Sequence, residues 1–546
     1  MSSKGDISAS VVAAFGARGF KFLKRSSRAY LLTGPLNTSE GTHDCLVAIP
    51  QNFDRPPAVI LRKIPEVLRP VAPHVDSDGG LCYLSRSSVQ INIFDPVGQM
   101  LGCLERAEKV LGQLLRNELV EDLAEEFFAY WGEDYCHCFF DFRVGSTQNL
   151  RAMVDKRSKT DCFSIVLITD DVQRTTAKSK LLGYDVRELA LSVARIYTRV
   201  EPRPNQEAWP PKNLGDLLKW QSTRDDRTSR KIVERITQAT ERGADCLAVM
   251  IESPKFFYAF VVIFGPVGGA RYSKVELRRK SIRDSSSIHA LRGWRIDEGY
   301  ITKRNVPGMK TLENKKIFLV GCGTIGGYLA DMLVKAGAGA GNGELILVDS
   351  ETLHASNLGR HRLGFSYIDK KKSDALMQEL KICMPDANIR SLPVDVHDAN
   401  LSKADLIIDA TGEQTVSDYL ATEHITTDQL CAWIEGPGIA VRGLIRRNDQ
   451  EPCIQCLTRH IREGRYSATV EDMPKIYAGQ GCENEYVPFP ASVSMQAACL
   501  ASEMIMDWSA GAASPALRTQ VVNRAFTANS EDCTPQKFAD CPACST

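Results

Sequence analysis

The sequence has no excess of charge of either sign: 67 Lys and Arg stand against 67 Asp and Glu in 546 residues. Proteins whose main task is to bind nucleic acid usually carry a positive surplus, so that class is disfavoured. Long hydrophobic runs are also missing. The longest apolar stretch, Phe256–Phe264, falls far short of the about 20 residues that span a bilayer. Residues 1–10 contain no apolar signal segment. The chain also lacks internal repeats and low-complexity tracts. These absences predict a soluble, cytoplasmic protein with no membrane and no direct nucleic-acid partner. Cysteine, by contrast, is plentiful. Seventeen residues, an odd number without a secretion signal, predict reduced thiols, some of them used for metal binding or catalysis.

At about 150 residues per domain the length predicts three or four domains. Pro/Gly punctuation and changes of motif content divide the chain into blocks 1–145, 146–306 and 307–546. The first opens with a helical pattern, Ser8–Leu23. It closes with two amphipathic segments, Gly98–Leu115 and Val120–Trp131. The middle block mixes strand-like runs (Phe163–Ile168, Tyr258–Phe264) with a helical stretch (Thr228–Arg242) and carries no chemical motif. The last alternates strand and helix in the manner of a doubly wound sheet. The fold class is multidomain, α+β at the N-terminus and α/β beyond.

In the third block a buried-strand run, Lys316–Val320, leads into Gly321-Cys-Gly323-Thr-Ile-Gly326 and a helical pattern, Tyr328–Lys335. Gly321 and Gly323 permit a tight turn whose N–H groups approach phosphate oxygens. Gly326 lets the helix pack on the sheet with its N-terminus facing the anion. A second strand, Glu344–Val348, ends in Asp349, where a carboxylate can grip ribose hydroxyls. That pattern alone more often marks an NAD or FAD site than an ATP site. The cations that follow favour ATP: Arg360, Arg362 and Lys370–Lys372 suit a site that neutralises a departing pyrophosphate, which hydride transfer does not require. A solvated basic surface is the alternative for the lysine triplet.

Cys453-Ile-Gln-Cys456 and Cys541-Pro-Ala-Cys544 are paired units whose four thiolates suit one tetrahedral Zn²⁺. A metal tether explains cysteines so near the chain end, where backbone normally frays; a redox pair is the rival. Two further cysteines are candidate nucleophiles. Cys82 follows Pro56-Pro57, an apolar run and the loop Pro73-His74-Val75-Asp76. Cys482 lies in a Gly-flanked loop ahead of a long helical pattern, Ser492–Met506, whose N-terminus lowers a thiol pKa. Cys431 and Cys499 read as core, Cys322 as a small packing residue, and Cys533 as a weak rival to Cys482.

The block from Thr311 onward resembles the adenylating domain shared by ubiquitin-activating enzymes and bacterial activators of sulfur-carrier proteins. That resemblance implies ATP and Mg²⁺ held by Gly321, Gly323, Asp349, Asn357, Arg360 and Lys371. It departs at Asp409-Ala-Thr411-Gly412-Glu413, where Gly412 replaces the family's metal-binding Asp; Asp409 and Glu413 are the alternatives. The family's N-terminal arginine arm has only Arg304 as a candidate. The paired cysteines also occur in the family, as a closed site. Cys482 matches the catalytic position of autophagy-type activating enzymes.

The N-terminal block resembles ubiquitin-conjugating enzymes, which implies that Cys82 accepts a carrier as a thioester. His74-Val75-Asp76 replaces the family's His-Pro-Asn, so the oxyanion stabiliser is open and His74 reads as an organiser of the loop. The joint order resembles the activating–conjugating fusions of bacterial antiviral cyclic-oligonucleotide (CBASS) systems. It implies adenylation of a carrier C-terminus, a thioester on Cys482, transthiolation to Cys82 and attachment to acceptor lysines. The chain ends Ala543-Cys-Ser-Thr546 rather than in Gly-Gly, which predicts that the carrier is another protein; the resemblance to the CBASS fusions implies that this carrier is a cGAS-like nucleotidyltransferase. The adenylating family implies a homodimer, and the middle block becomes a linker that docks the carrier or supports dimerisation. A sulfur-carrier activator with an idle N-terminal module, an NAD-dependent oxidoreductase and a non-catalytic scaffold are the rivals.

Overall fold

The computed structural model describes every residue except 1–3, 85–89, 133, 141–148, 157–164, 207, 266–268, 449, 477, 479–485, 513, 530 and 545–546. Two compact units form. The first is drawn from Met1–Cys138, Thr147–Val172 and Asp185–Trp294, and the second from Phe139–Ser146, Gln173–Tyr184 and Arg295–Thr546.

The first unit contains two sheets. Strands β1 (Lys21–Arg25), β2 (Ala29–Thr38), β3 (Gly41–Pro50) and β4 (Ala58–Leu61) make an antiparallel meander. Alternation along β3 turns Cys45, Val47 and Ile49 inward. There they share a core with Phe15 of the helix Lys4–Ala17 and with Met100, Leu104 and Leu111 of the helix Pro96–Leu115. Asp95 caps the latter helix by accepting from the Gly98 N–H, with Pro96 at its first position. The first helix does not reach Leu23 as its pattern predicts. Gly19, at φ +90°, reverses the chain, and Phe22 and Leu23 enter β1 as exposed residues.

The second sheet comprises β5 (Asp134–Cys138), β6 (Arg151–Asp155), β7 (Ile165–Thr169), β8 (Val186–Leu189), β9 (Ser192–Tyr197), β10 (Cys246–Glu252), β11 (Phe257–Ile263) and β12 (Ser287–Arg295). Its order is β8-β6-β7-β5-β12-β11-β10-β9. The predicted strand from Phe163 begins outside the described residues. The helical stretch predicted at Thr228–Arg242 is the second half of a kinked helix, Leu214–Glu241. The amphipathic segment Val120–Trp131 breaks into a 3₁₀ turn and a short helix, Phe127–Trp131. It packs on this second sheet rather than the first, with Phe127 and Trp131 among Trp209, Trp220 and Tyr258. The Trp131 indole N–H lies 3.0 Å from the Ala259 carbonyl and 3.1 Å from that of Leu291. Aromatic mass decides that placement.

The second unit holds a sheet of β13 (Lys316–Val320), β14 (Glu344–Val348), β15 (Ile389–Leu392), β16 (Leu406–Asp409), β17 (Asp428–Glu435), β18 (Ala440–Arg446) and β19 (Leu517–Val521). The order is β15-β14-β13-β16-β17-β18-β19. The first five are parallel, and β18 and β19 extend the sheet antiparallel. Strand order reverses between β13 and β16, so their carboxyl ends open a crevice, the usual ligand position in such sheets. Among the described residues no helix is long and apolar enough to cross a membrane.

Candidate functional site

The crevice is a cleft of about 450 Å³ lined by Gly321, Gly323, Asp349, Glu351, Thr411, Gly412, Glu413 and Phe489, among others. Its floor follows from the glycines. Gly321 has φ +89°, and a Cβ there would meet the Ala410–Thr411 backbone at 2.9 Å. A Cβ on Gly326 would stand 1.8 Å from the Gly321 carbonyl oxygen. The helix Thr324–Lys335 can therefore sit directly on the turn and aim its N-terminus into the cleft.

Asp349 closes the opposite wall. Its two oxygens accept from the Cys322 and Glu351 N–H groups, each at 2.7 Å. Burial nevertheless raises its pKa, as removal from water disfavours the anion. Cys322 is fully buried, in keeping with a packing role, and burial pushes its thiol well up.

The segment after Asp349 is held by a residue that motif reading passed over. His361 is buried; its Nδ1 accepts from the Leu363 N–H at 3.0 Å, and its Nε2 lies 2.9 Å from the Cys322 carbonyl oxygen. Asn357 does not line the cleft. Its side-chain oxygen accepts from the His354 N–H at 2.9 Å and caps a 3₁₀ turn. Arg360 donates to the Val487 carbonyl at 2.9 Å. Lys371 is exposed and donates to the Ser350 carbonyl at 2.6 Å, at the edge of the cleft. Its neighbour Lys372 is the buried one: its ammonium pairs with Glu351 and acts electrostatically on Asp349. A helix beginning at Lys372 turns that residue inward and leaves Lys371 outside, a distinction a lysine triplet does not display.

Asp409 faces away from the cleft. One oxygen accepts from Thr411, N–H at 3.0 Å and hydroxyl at 2.6 Å; the other accepts from the Ser417 hydroxyl at 2.5 Å and the Cys431 thiol at 3.1 Å. A carboxylate so occupied has no lone pair directed at the nucleotide side, whereas Glu413 lines the cleft. Arg304 is exposed on the helix Glu298–Asn305 and is not among the lining residues.

Cys453, Cys456, Cys541 and Cys544 converge, with all four sulfurs within 4.8 Å of one another. Four mostly buried thiols from two tight turns form a donor set that fits a tetrahedral Zn²⁺. Two other expectations for cysteines resolve differently. Cys431 donates its thiol proton inside the Asp409 network. Cys499 is exposed and not core, because it lies on the outer face of the helix Ala491–Ala510, opposite Val493, Ala497, Ala501 and Met504. Cys482 lies outside the described residues.

Cys82 is exposed between buried Leu81 and Tyr83. The two neighbours anchor it. Leu81 N–H donates to Val59 at 2.8 Å, the Tyr83 hydroxyl donates to the Pro57 carbonyl at 2.5 Å, and Cys82 N–H donates to His74 at 2.8 Å. Gly79, φ +87°, lets the loop lie on Leu61, whose carbonyl a Cβ would meet at 2.5 Å. The His74 ring is engaged at both nitrogens, by Asp122 at 2.9 Å and Glu126 at 2.8 Å. The Glu126 hydrogen bond chiefly raises its pKa, to about 9. A ring so clamped organises the loop and has no nitrogen left for proton transfer. Glu126 and Tyr130, which bonds the Ala72 carbonyl at 2.9 Å, carry this support onto the Phe127–Trp131 helix and so to the second sheet.

Residues 301–543 match the ThiF family and residues 14–139 match prokaryotic E2 family B. Over 545 residues the chain is 43% identical to the ATP-dependent ubiquitin transferase-like protein Cap2 of Pseudomonas aeruginosa, covering 98% of this chain and 99% of the relative. Proteins of the same name from Escherichia coli and Vibrio cholerae are each 26% identical, over 82% and 83% of both chains respectively. A ThiF-type adenylating fold and an E2-like fold on one chain support ATP-dependent ubiquitin-like conjugation. The chain belongs to the family of the ATP-dependent ubiquitin transferase-like protein Cap2, enzymes that couple a C-terminal ThiF domain to an N-terminal E2-like domain.

Proposed function

We propose that this enzyme activates the C-terminus of a separate carrier protein and passes it through two thiols to an acceptor amine. The carrier carboxylate attacks the α-phosphorus of ATP and pyrophosphate leaves. The Cys482 thiolate attacks the resulting acyl adenylate and AMP leaves. The Cys82 thiolate then takes the acyl group from Cys482, and an acceptor lysine takes it from Cys82 as an amide. Adenylation supplies the leaving group that a carboxylate lacks, and a thioester keeps the acyl group reactive toward an amine.

Within this scheme Gly321, Gly323 and Gly326 shape the phosphate turn, and Asp349 holds the ribose. Arg360 and Lys371 neutralise phosphate charge. The cleft-lining Glu413 is the better placed candidate for Mg²⁺, because Asp409 is spent on internal hydrogen bonds. The four-cysteine cluster holds structural Zn²⁺. The carrier is a cGAS-like nucleotidyltransferase of a CBASS system. The enzyme acts as a cytoplasmic homodimer, and block 146–306 serves as the docking linker between the conjugating-like block 1–145 and the adenylating block 307–546.

The observation that carries this reading is an exposed thiol on a pinned loop in the same chain as a glycine-floored nucleotide cleft. Non-reducing electrophoresis with ATP and the carrier tests it. Cys82→Ala is expected to keep the Cys482 adduct and lose the second; Cys482→Ala loses both adducts while retaining pyrophosphate exchange. A Cys82 adduct that survives in Cys482→Ala contradicts the order. Adducts absent from the intact enzyme contradict the scheme.

A further inference from the structure

Arg360 and Arg362 stand two residues apart and are held in opposite ways. Arg362 is neutralised by Asp331 at 3.0 Å and Glu379 at 3.7 Å. Arg360 has no carboxylate partner among the described residues. Its guanidinium carbon lies 4.6 Å from the centroid of the Phe489 ring and 5.2 Å from that of Tyr486, and one N–H donates to the Val487 carbonyl. All three contacts come from one short segment ahead of the helix Ala491–Ala510. Ala478 and Tyr486 exchange both backbone hydrogen bonds at 2.9 Å, which sets the position of that segment. Phe489 itself lines the nucleotide cleft.

We infer that Tyr486 and Phe489 are positioning residues that hold Arg360 at the cleft edge as an unneutralised cation, ready for the phosphate oxygens of the nucleotide. Aromatic faces attract a guanidinium without cancelling its charge or occupying its N–H edge. A carboxylate would do both, and its ion pair would have to break before a phosphate could bind. Of the five N–H donors of the guanidinium, the carbonyl bond uses one, so a bidentate edge stays open. Half-burial lowers the pKa of Arg360, as expected for a cation drawn out of water with no acidic partner among the described residues. The hold also restricts a side chain that is otherwise rich in rotamers.

This inference rests on the adenylation reading for the identity of the anion. Its test has two readouts so that the two can fail separately: calorimetric binding of ATP, which needs no turnover, and carrier-dependent pyrophosphate exchange. Phe489→Leu in the full chain is expected to weaken ATP binding about threefold to tenfold and to raise the KM for ATP more than it lowers kcat. Phe489→Tyr restores both. In the background of Arg360→Ala, Phe489→Leu adds little further loss, because the ring acts through the guanidinium. Equal losses for Leu and Tyr, or full additivity with Arg360→Ala, overturn the cradle. Loss of exchange in the unaltered enzyme, with ATP binding and the Arg360–Phe489 coupling intact, overturns adenylation and leaves the cradle standing.

Discussion

The Nε2 of His361 lies 2.9 Å from the carbonyl oxygen of Cys322 and ties the loop that carries Arg360 to the glycine turn. Because Nδ1 accepts the Leu363 N–H, the single ring proton must sit on Nε2, and the imidazole is neutral. Burial holds its pKa down at about 4. In the unfolded chain the same ring takes a proton near pH 6.5. The contribution of His361 is therefore complete above about 6.5 and is lost as pH falls from there toward 4. His361→Gln should flatten the pH dependence of unfolding over that window by up to about 3 kcal/mol. Denaturant titrations from pH 7.5 to pH 4 with unchanged slopes in the variant would rule this out.

His74 predicts the reverse trend in the first unit. Its folded pKa is raised to about 9, so its contribution is present below about 6.5 and fades as pH rises through 9. An NMR titration of the His74 ring should show a midpoint near 9 and a lower one in Glu126→Gln. A midpoint below 7 in the unaltered protein would be incompatible with both ring nitrogens donating to carboxylates.

Residues 173–184 cluster with the second unit, and Lys178 shows why. Its ammonium meets Asp386, and the Glu298 carboxylate accepts from the Asp386 N–H at 2.7 Å. The side chains of Lys178 and Asp386 are 9% and 18% exposed, so removing Lys178 leaves the buried carboxylate with only its longer contact to the Arg174 guanidinium, at 3.9 Å, among the described residues. Lys178→Met should cost about 3 kcal/mol, and Lys178→Met with Asp386→Leu less than that. Chemical denaturation of the full chain reads both. A double variant as unstable as the single would show that the pair contributes nothing specific.

Cys541→Ser is expected to remove the zinc and loosen the chain end from the helix Ile454–Arg462. Elemental analysis should find one zinc per chain in the unaltered protein. A chelator should lower its Tm but not that of the variant. Equal zinc content in both would place any metal elsewhere.

Gly326→Ala forces a methyl to within 1.8 Å of the Gly321 carbonyl oxygen. Backbone must move on one side, at about 1–3 kcal/mol, and the phosphate turn opens. ATP binding measured by calorimetry should be lost while circular dichroism stays near that of the parent. Undiminished binding would mean that the turn does not contact the nucleotide.

Strand Lys316–Val320, the glycine turn, the strand ending before Asp349 and the two cysteine pairs were legible because each is a local pattern whose meaning depends on neighbours in sequence. Helix boundaries were less so. Gly19 cuts short an apolar periodicity that the sequence alone carries on to Leu23, and the helix register at Lys372 decides which lysine of three is buried. Cys499 reads as core from composition, yet its angular position on the helix exposes it.

By itself the sequence determined which chemistry the chain carries: a phosphate turn, a strand-end carboxylate, a four-thiol donor set and a thiol after a His-bearing loop, all written in residue type and spacing. Tertiary structure decided which groups are available for it. Asp409 is withdrawn by Ser417 and Cys431, Arg360 is held by two rings far along the chain with no carboxylate partner among the described residues, and His74 is clamped by carboxylates of the 3₁₀ turn and helix cap that lead into another core. Those outcomes depend on burial and on partners distant in sequence, and burial and distant partners set charge, proton position and reach.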